Sequence, residues 1–134
     1  MAVLRDEVIG LRSTDDIIKA RQLVRDCAIF IGLSLVDQTK VVTAASELAR
    51  NTLVHGGGGE MRLQALNDGP RRGVKVVFAD GGPGIPDIEL AMKDGYTTRG
   101  GLGLGLSGSK RLVNEFDIQS QVGKGTIVTI VRWK

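Results

Sequence analysis

Residues 80–87 read Asp80-Gly81-Gly82-Pro83-Gly84-Ile85-Pro86-Asp87, directly after the apolar run Gly73-Val74-Lys75-Val76-Val77-Phe78-Ala79. The β-branched and aromatic content of that run predicts a strand over 73–79. An acidic residue thus closes a strand, and three glycines and two prolines crowd in behind it. An ordinary turn needs fewer glycines, and this many lets backbone and ligand approach closely. A plain surface loop can also be built from Asp, Gly and Pro, so the segment acquires meaning only with its neighbours.

Upstream, residues 60–66 alternate Met61, Leu63 and Ala65 against Arg62 and Gln64, and Asn67-Asp68-Gly69-Pro70 turns the chain into the 73–79 strand as a hairpin. Before the hairpin come two helical patterns. The first, 15–33, carries Ile17, Ala20, Val24, Cys27 and Ile31 at helical spacing and ends at Gly32 or Ser34; the second, 36–54, carries Val41, Ala45, Leu48 and Thr52 and ends at the glycine run 56–59. A first strand over 3–12 stops at Ser13-Thr14, a helix cap. Downstream, the sequence predicts a short helical piece over 87–93 and a glycine-rich segment, 100–108, running into a helix that ends near Phe116. Strands at 117–122 and 125–133 follow, turned by Gly123-Lys124-Gly125. Helices over one face of a sheet make an α+β layer, and 134 residues suffice for a single domain over 1–134.

Composition narrows the function classes. Apolar residues at 42% and charged residues at 25% are those of an ordinary globular chain, not of a disordered one. Apolar runs such as 27–31 are far shorter than the roughly 20 residues of a membrane-spanning helix. The charged N-terminus, Met1-Ala2-Val3-Leu4-Arg5-Asp6-Glu7, does not read as a secretory signal, so a cytoplasmic location with no membrane partner is expected. One cysteine, Cys27, and one histidine, His55, cannot supply a zinc site of usual composition, so any metal would be a hard cation held by oxygen. The basic pairs Arg71-Arg72 and Lys110-Arg111 lack aromatic neighbours for base stacking, which argues against a nucleic-acid partner.

Candidate chemistry lies in four segments. Glu47 and Asn51 are four apart on the second helix and so share a face, with His55 one turn on. A solvated polar face would show the same spacing. The second segment is Asp80 with its glycine loop. The third, Gly100-Gly101-Leu102-Gly103-Leu104-Gly105-Leu106, leads into a helix and offers backbone N–H groups to phosphates. Glycine alternating with leucine is poor linker chemistry. The fourth, Gly123-Lys124-Gly125-Thr126, is by itself a hairpin turn.

In this order and context the four segments resemble the N, G1, G2 and G3 boxes of the GHKL or Bergerat ATPase superfamily, which includes histidine-kinase catalytic domains, gyrase and anti-sigma kinases. Ser46-Glu47-Leu48-Ala49-Arg50-Asn51, the 80–87 segment and residues 100–112 look like the RsbT-like serine/threonine switch kinases of bacterial stressosomes, and this resemblance covers nearly the whole chain. It implies a two-layer sandwich with helices on one face of a mixed, mostly antiparallel sheet.

The resemblance further implies ATP and Mg2+ as cofactors. Asn51 would offer its side-chain oxygen to the ion; Asp80 would accept from the adenine amino group, with Gly82 and Gly84 giving the base room and Thr126 closing that end. Glu47 would orient or deprotonate the attacking hydroxyl, and Gly101, Gly103 and Gly105 would belong to a lid over 86–104. Arg99 is a candidate for the terminal phosphate, since some anti-sigma kinases carry arginine there. His55, near the phosphates, fits a structural role equally well. The implied substrates are STAS-domain scaffold and antagonist proteins, with a downstream phosphatase or other output protein activated afterwards. The alternative is an ATP-dependent binding regulator without phosphotransfer, which would need Asn51 and the glycines but not the Glu47 carboxylate. Gly103-Leu104-Gly105-Leu106-Ser107-Gly108 also satisfies G-x-G-x-x-G, but no strand leads into it as a dinucleotide fold requires.

Overall fold

Five strands pair into one sheet in the computed structural model, which describes residues 1–93 and 105–134. They are β1 (Ala2–Leu11), β2 (Gly59–Asn67), β3 (Arg72–Asp80), β4 (Glu115–Gln121) and β5 (Gly125–Trp133), in spatial order β1-β2-β3-β5-β4. The helices are α1 (Thr14–Ile31), α2 (Leu35–Val54), α3 (Ile88–Ala91) and α4 (Gly105–Arg111).

Every pairing in the sheet is antiparallel, which corrects the expected mixed sheet. The chain leaves β3 and returns in β4 two places along, and the β4–β5 hairpin folds β5 into the slot between them. Parallel β3 and β4 therefore never touch. The register puts Met61 opposite Phe78, Leu63 opposite Val76 and Ala65 opposite Val74, and then Val76 opposite Ile130 and Phe78 opposite Val128. These side chains share one face because side chains alternate along a strand. Onto that face α1 brings Ala20, Val24, Cys27 and Ile31, and α2 brings Val41, Ala45, Leu48 and Ala49, all buried.

Local chemistry sets the helix ends. Ser13 caps α1 by accepting the Asp16 N–H, while the Asp16 carboxylate accepts the Arg12 N–H at 2.8 Å. At its far end Gly32 takes φ +86°, and Leu33 N–H reaches back to the Ala28 carbonyl. Ser34 caps α2 through the Asp37 N–H, so that helix starts one residue before the pattern suggested. Asp37 also accepts from Arg132 Nη2 at 2.8 Å, tying the start of α2 to the last strand.

The last helix is shorter than expected. It ends at Arg111, not near Phe116, because Asn114 N–H donates to the Val131 carbonyl and the chain is already strand at Glu115. Phe116, opposite Ile130, packs inward with Ile118 as the hydrophobic side of an edge strand. The short helix likewise shrinks to Ile88–Ala91, with the Asp87 carboxylate as its cap, accepting the Leu90 N–H at 3.0 Å. No helix among the described residues is long and apolar enough to cross a membrane.

Cys27 is a core residue, 1% exposed. Burial pushes its thiol from 9.0 up to about 11, partly opposed by the Arg5 guanidinium. Because the folded-state value is raised, its stabilising contribution is complete below about pH 9 and is lost as the pH climbs toward 11. An aromatic disulfide reagent at pH 8 is expected to leave Cys27 unmodified for hours in the native protein and to modify it within minutes in urea. Substitution by Ala should also flatten the loss of stability between pH 9 and pH 11 in urea melts.

Candidate functional site

The C-terminal half of α2, the end of β3 and the β4–β5 turn meet around a cavity of about 360 Å³. Glu47, Leu48, Asn51, Thr52 and His55 line it from α2, where the i, i+4 spacing brings Glu47, Asn51 and His55 to one side of the helix. Phe78, Asp80, Thr126 and Val128 line it from the sheet, and Pro83, Gly84, Ile85 and Pro86 from the loop after β3. α3 and α4 close it with Leu90, Ala91, Gly105 and Leu106. Apolar walls with a few convergent polar groups are the make-up of a small-molecule site.

Asp80 is the last residue of β3, paired with Gly59 on one side and Thr126 on the other. Its Oδ1 accepts the Gly82 N–H at 2.9 Å, which bends the chain back over the strand end. The rest of the carboxylate lies against Gly56. A Cβ at position 56 would run into Asp80 Cγ and stand 2.5 Å from Oδ2, so only glycine lets the end of α2 and the acidic strand end sit together. Gly82 does not line the cavity; a Cβ there would fall 2.6 Å from the Gly56 carbonyl oxygen.

The loop 81–86 is held from the other side by the β4–β5 hairpin. Gly123 N–H donates to the Pro83 carbonyl at 2.8 Å, and Ile85 N–H donates to Ser120 Oγ at 2.8 Å. Gly84, at φ +77°, lies so close to the Gln121 carbonyl that a Cβ would overlap it. Thr126 Oγ1 lies 2.8 Å from Ser120 Oγ. Gly105 is the first residue of α4 and borders the cavity, with its carbonyl accepting from Ser109 Oγ at 3.0 Å.

The structure therefore brings together Glu47, Asn51, His55, Asp80, Gly84, Gly105 and Thr126, with Gly82 behind them. Arg99, Gly101 and Gly103, and the 94–104 part of the expected lid, lie outside the described residues. Two contributors escaped the sequence reading. In the sequence Gly56 reads as part of a helix terminator, although four successive glycines exceed what ending a helix needs. Ser120 is a polar residue on the inward side of β4, after Phe116 and Ile118, and that break in an apolar alternation was its signal.

A Cβ at 56, 82 or 84 would strike protein atoms, so these glycines let the end of α2, the loop 81–86 and the β4–β5 hairpin close together at the carboxylate end of the cavity. That suits a flat base beside Asp80 with a polar chain running along the helix. No cluster of three or more His, Cys, Asp or Glu side chains that could hold a metal exists among the described residues.

Residues 36–134 match the family described as histidine kinase-, DNA gyrase B-, and HSP90-like ATPase. The chain is similar to the serine/threonine-protein kinase RsbT of Bacillus subtilis, 46% identical over 118 residues that cover 88% of this chain and 89% of that protein. It is also similar to the anti-sigma F factor of Thermoanaerobacter sp., 30% identical over 120 residues that cover 85% of this chain and 82% of that one. The crystal structure of the RsbU and RsbW domains of Rv1364c from Mycobacterium tuberculosis shares the fold, with TM-score 0.65 and 22% identity. The match covers 96% of this chain and 31% of that one, so the chain spans about a third of its solved neighbour.

The Gly56 contact is testable without any ligand. Gly56→Ala is expected to cost about 1–3 kcal/mol in urea unfolding, because the added methyl must displace the Asp80 side chain or the helix end. Gly81→Ala, where a Cβ meets nothing within 4 Å, should stay within about 0.5 kcal/mol of the parent.

Proposed function

Because the chain belongs to the histidine kinase-, DNA gyrase B-, and HSP90-like ATPase family, we infer that it is an ATP-dependent protein serine/threonine kinase whose nucleotide lies between α2 and the end of β3. The observation that carries this reading is the shared cavity: Glu47 and Asn51 stand on the same wall whose far end, Gly56, touches Asp80. Glu47 stands seven residues before Val54, the last residue of α2, about 10 Å at helical rise, and Gly56 follows just beyond the helix end.

ATP, when bound, supplies the phosphoryl group, and Mg2+ neutralises charge on its phosphates. The Asp80 carboxylate, held by the Gly82 N–H, is an acceptor for the exocyclic amino group of adenine. Asn51 offers a neutral amide oxygen suited to a hard cation without adding negative charge beside the phosphates. Glu47 orients the attacking hydroxyl and accepts its proton, and its place on the cavity wall favours phosphotransfer over a purely conformational use of nucleotide. The backbone N–H of His55 closes α2 on the Asn51 carbonyl at 2.9 Å, and the residue lines the same cavity as a neighbour of the nucleotide.

A protein hydroxyl must reach Glu47 from outside. Glu47 also borders a second groove, between α1 and α2, lined by Ile17, Ile18, Arg21, Arg50 and Leu53. A macromolecular substrate lying there reaches the carboxylate from the side opposite the nucleotide. The relatives suit this picture, one being named a serine/threonine-protein kinase and another an anti-sigma factor, a protein that works on another protein. The substrates we propose are STAS-domain scaffold and antagonist proteins in the cytoplasm, with a downstream phosphatase as the later partner.

Glu47→Ala is expected to keep ATP affinity within about threefold while lowering phosphate transfer to a STAS-domain protein by about 10²- to 10⁴-fold. Asp80→Asn, which presents a donor where an acceptor is needed, should weaken ATP binding by tenfold or more. Calorimetry with Mg-ATP and radiolabelled transfer read the two effects separately. Normal transfer by the Glu47→Ala protein would remove that carboxylate from the mechanism.

A further inference from the structure

Ser120 belongs to no box that the sequence singled out, yet it sits where three parts of the cavity wall meet. It lies on β4 opposite Thr126, on the inward side of the sheet. Its Oγ accepts the Ile85 N–H at 2.8 Å, lies 3.1 Å from the Gly125 carbonyl oxygen and lies 2.8 Å from Thr126 Oγ1. A hydroxyl carries one proton and two lone pairs. Gly125 offers only an acceptor and Ile85 only a donor. All three contacts are satisfied in one arrangement alone: Ser120 donates to the Gly125 carbonyl and accepts from both the Ile85 N–H and the Thr126 O–H. If Ser120 instead donated to Thr126, the Gly125 contact would be lost.

This arrangement has a consequence for the cavity. With its proton committed to Ser120, Thr126 Oγ1 turns only lone pairs toward the space it lines next to Asp80. Two acceptors then face the base, and an amino group satisfies them where a carbonyl oxygen would be repelled. We propose that Ser120 is a positioning residue for base recognition: it fixes the loop 81–86 through Ile85 and fixes Thr126 as a hydrogen-bond acceptor, so that the site selects a 6-amino purine over a 6-oxo purine. This rests on the reading that the base lies beside Asp80. Its effect is exerted on affinity and choice of nucleotide, not on the phosphoryl end, which Glu47 and Asn51 serve from α2.

The test compares binding of ATP and inosine triphosphate, which differ in the 6-substituent and in the N1 proton that the 6-oxo base carries, by calorimetry with magnesium, alongside transfer rates at saturating ATP. Ser120→Ala is expected to weaken ATP binding by about tenfold and to narrow the ATP-to-inosine-triphosphate preference severalfold, because Thr126 is released to donate. Its transfer rate at saturating ATP should stay within about twofold. Ser120→Thr, which keeps the hydroxyl, should restore both affinity and preference.

Thr126→Val, which leaves Ser120 and the loop in place, should narrow the preference by itself and serves as the readout if Ser120→Ala does not fold. A folded Ser120→Ala protein with unchanged affinity and unchanged preference would overturn the proposal. So would one that loses transfer rate at saturating ATP with KM unaltered, or an unchanged preference in Thr126→Val. Failure of the parent protein to bind either nucleotide would instead overturn the reading of the cavity on which the proposal rests.

Discussion

The close approach of Gly56 to the Asp80 carboxylate is the constraint on which the rest of the site depends. It joins the end of the longest helix to the end of a central strand with no side chain between them. Every polar group on the facing side of α2 is thereby placed at a fixed height above the acidic strand end. The rise of the helix then sets the distances, so Asn51 and Glu47 stand successively further from Asp80 along one wall. The core beneath serves this geometry: Leu48 and Thr52, both buried, line the cavity alongside the polar residues of α2, and Phe78 and Val128 floor it.

The opposite wall is a loop held by hydrogen bonds. Residues 81–86 are fixed by the Asp80 carboxylate at one end and by Gly123 and Ser120 of the β4–β5 hairpin further along. That hairpin is itself anchored, since Arg132 of β5 pairs with Asp37 at the start of α2. The two walls are thus parts of one hydrogen-bonded framework. A site built this way holds its acceptors in place before a ligand arrives, which lowers the ordering cost of binding.

Much of this was legible in the chain. The helical stripe through Val41, Ala45 and Leu48 and the alternation of Met61, Leu63 and Ala65 gave the two layers, because both patterns report burial directly. Glu47, Asn51, Asp80 and Thr126 could be placed together through a family resemblance, since spacing alone cannot bring residues from distant segments into one cavity. The antiparallel completion of the sheet was not legible, because local pattern does not fix the order of strands in space. The end of α4 is not legible because Leu112, Val113 and Phe116 suit a helix as well as a strand, and the Asn114 N–H to Val131 carbonyl bond decides between them. Gly56 and Ser120 were missed for a related reason: one matters for what it lacks, the other for a bond to a residue 35 positions away.

The central claim is that an adenine nucleotide occupies the junction of α2, the end of β3 and the β4–β5 turn. Amide resonances of isotope-labelled protein, followed during titration with Mg-ATP, test it most directly. The expected result is saturable shifts concentrated at Asn51, Gly56, Asp80, Gly84 and Thr126, with strand residues such as Arg62 and Lys75 on the far side of the sheet unmoved. Saturable shifts confined to that far side, or none at millimolar nucleotide, would contradict it.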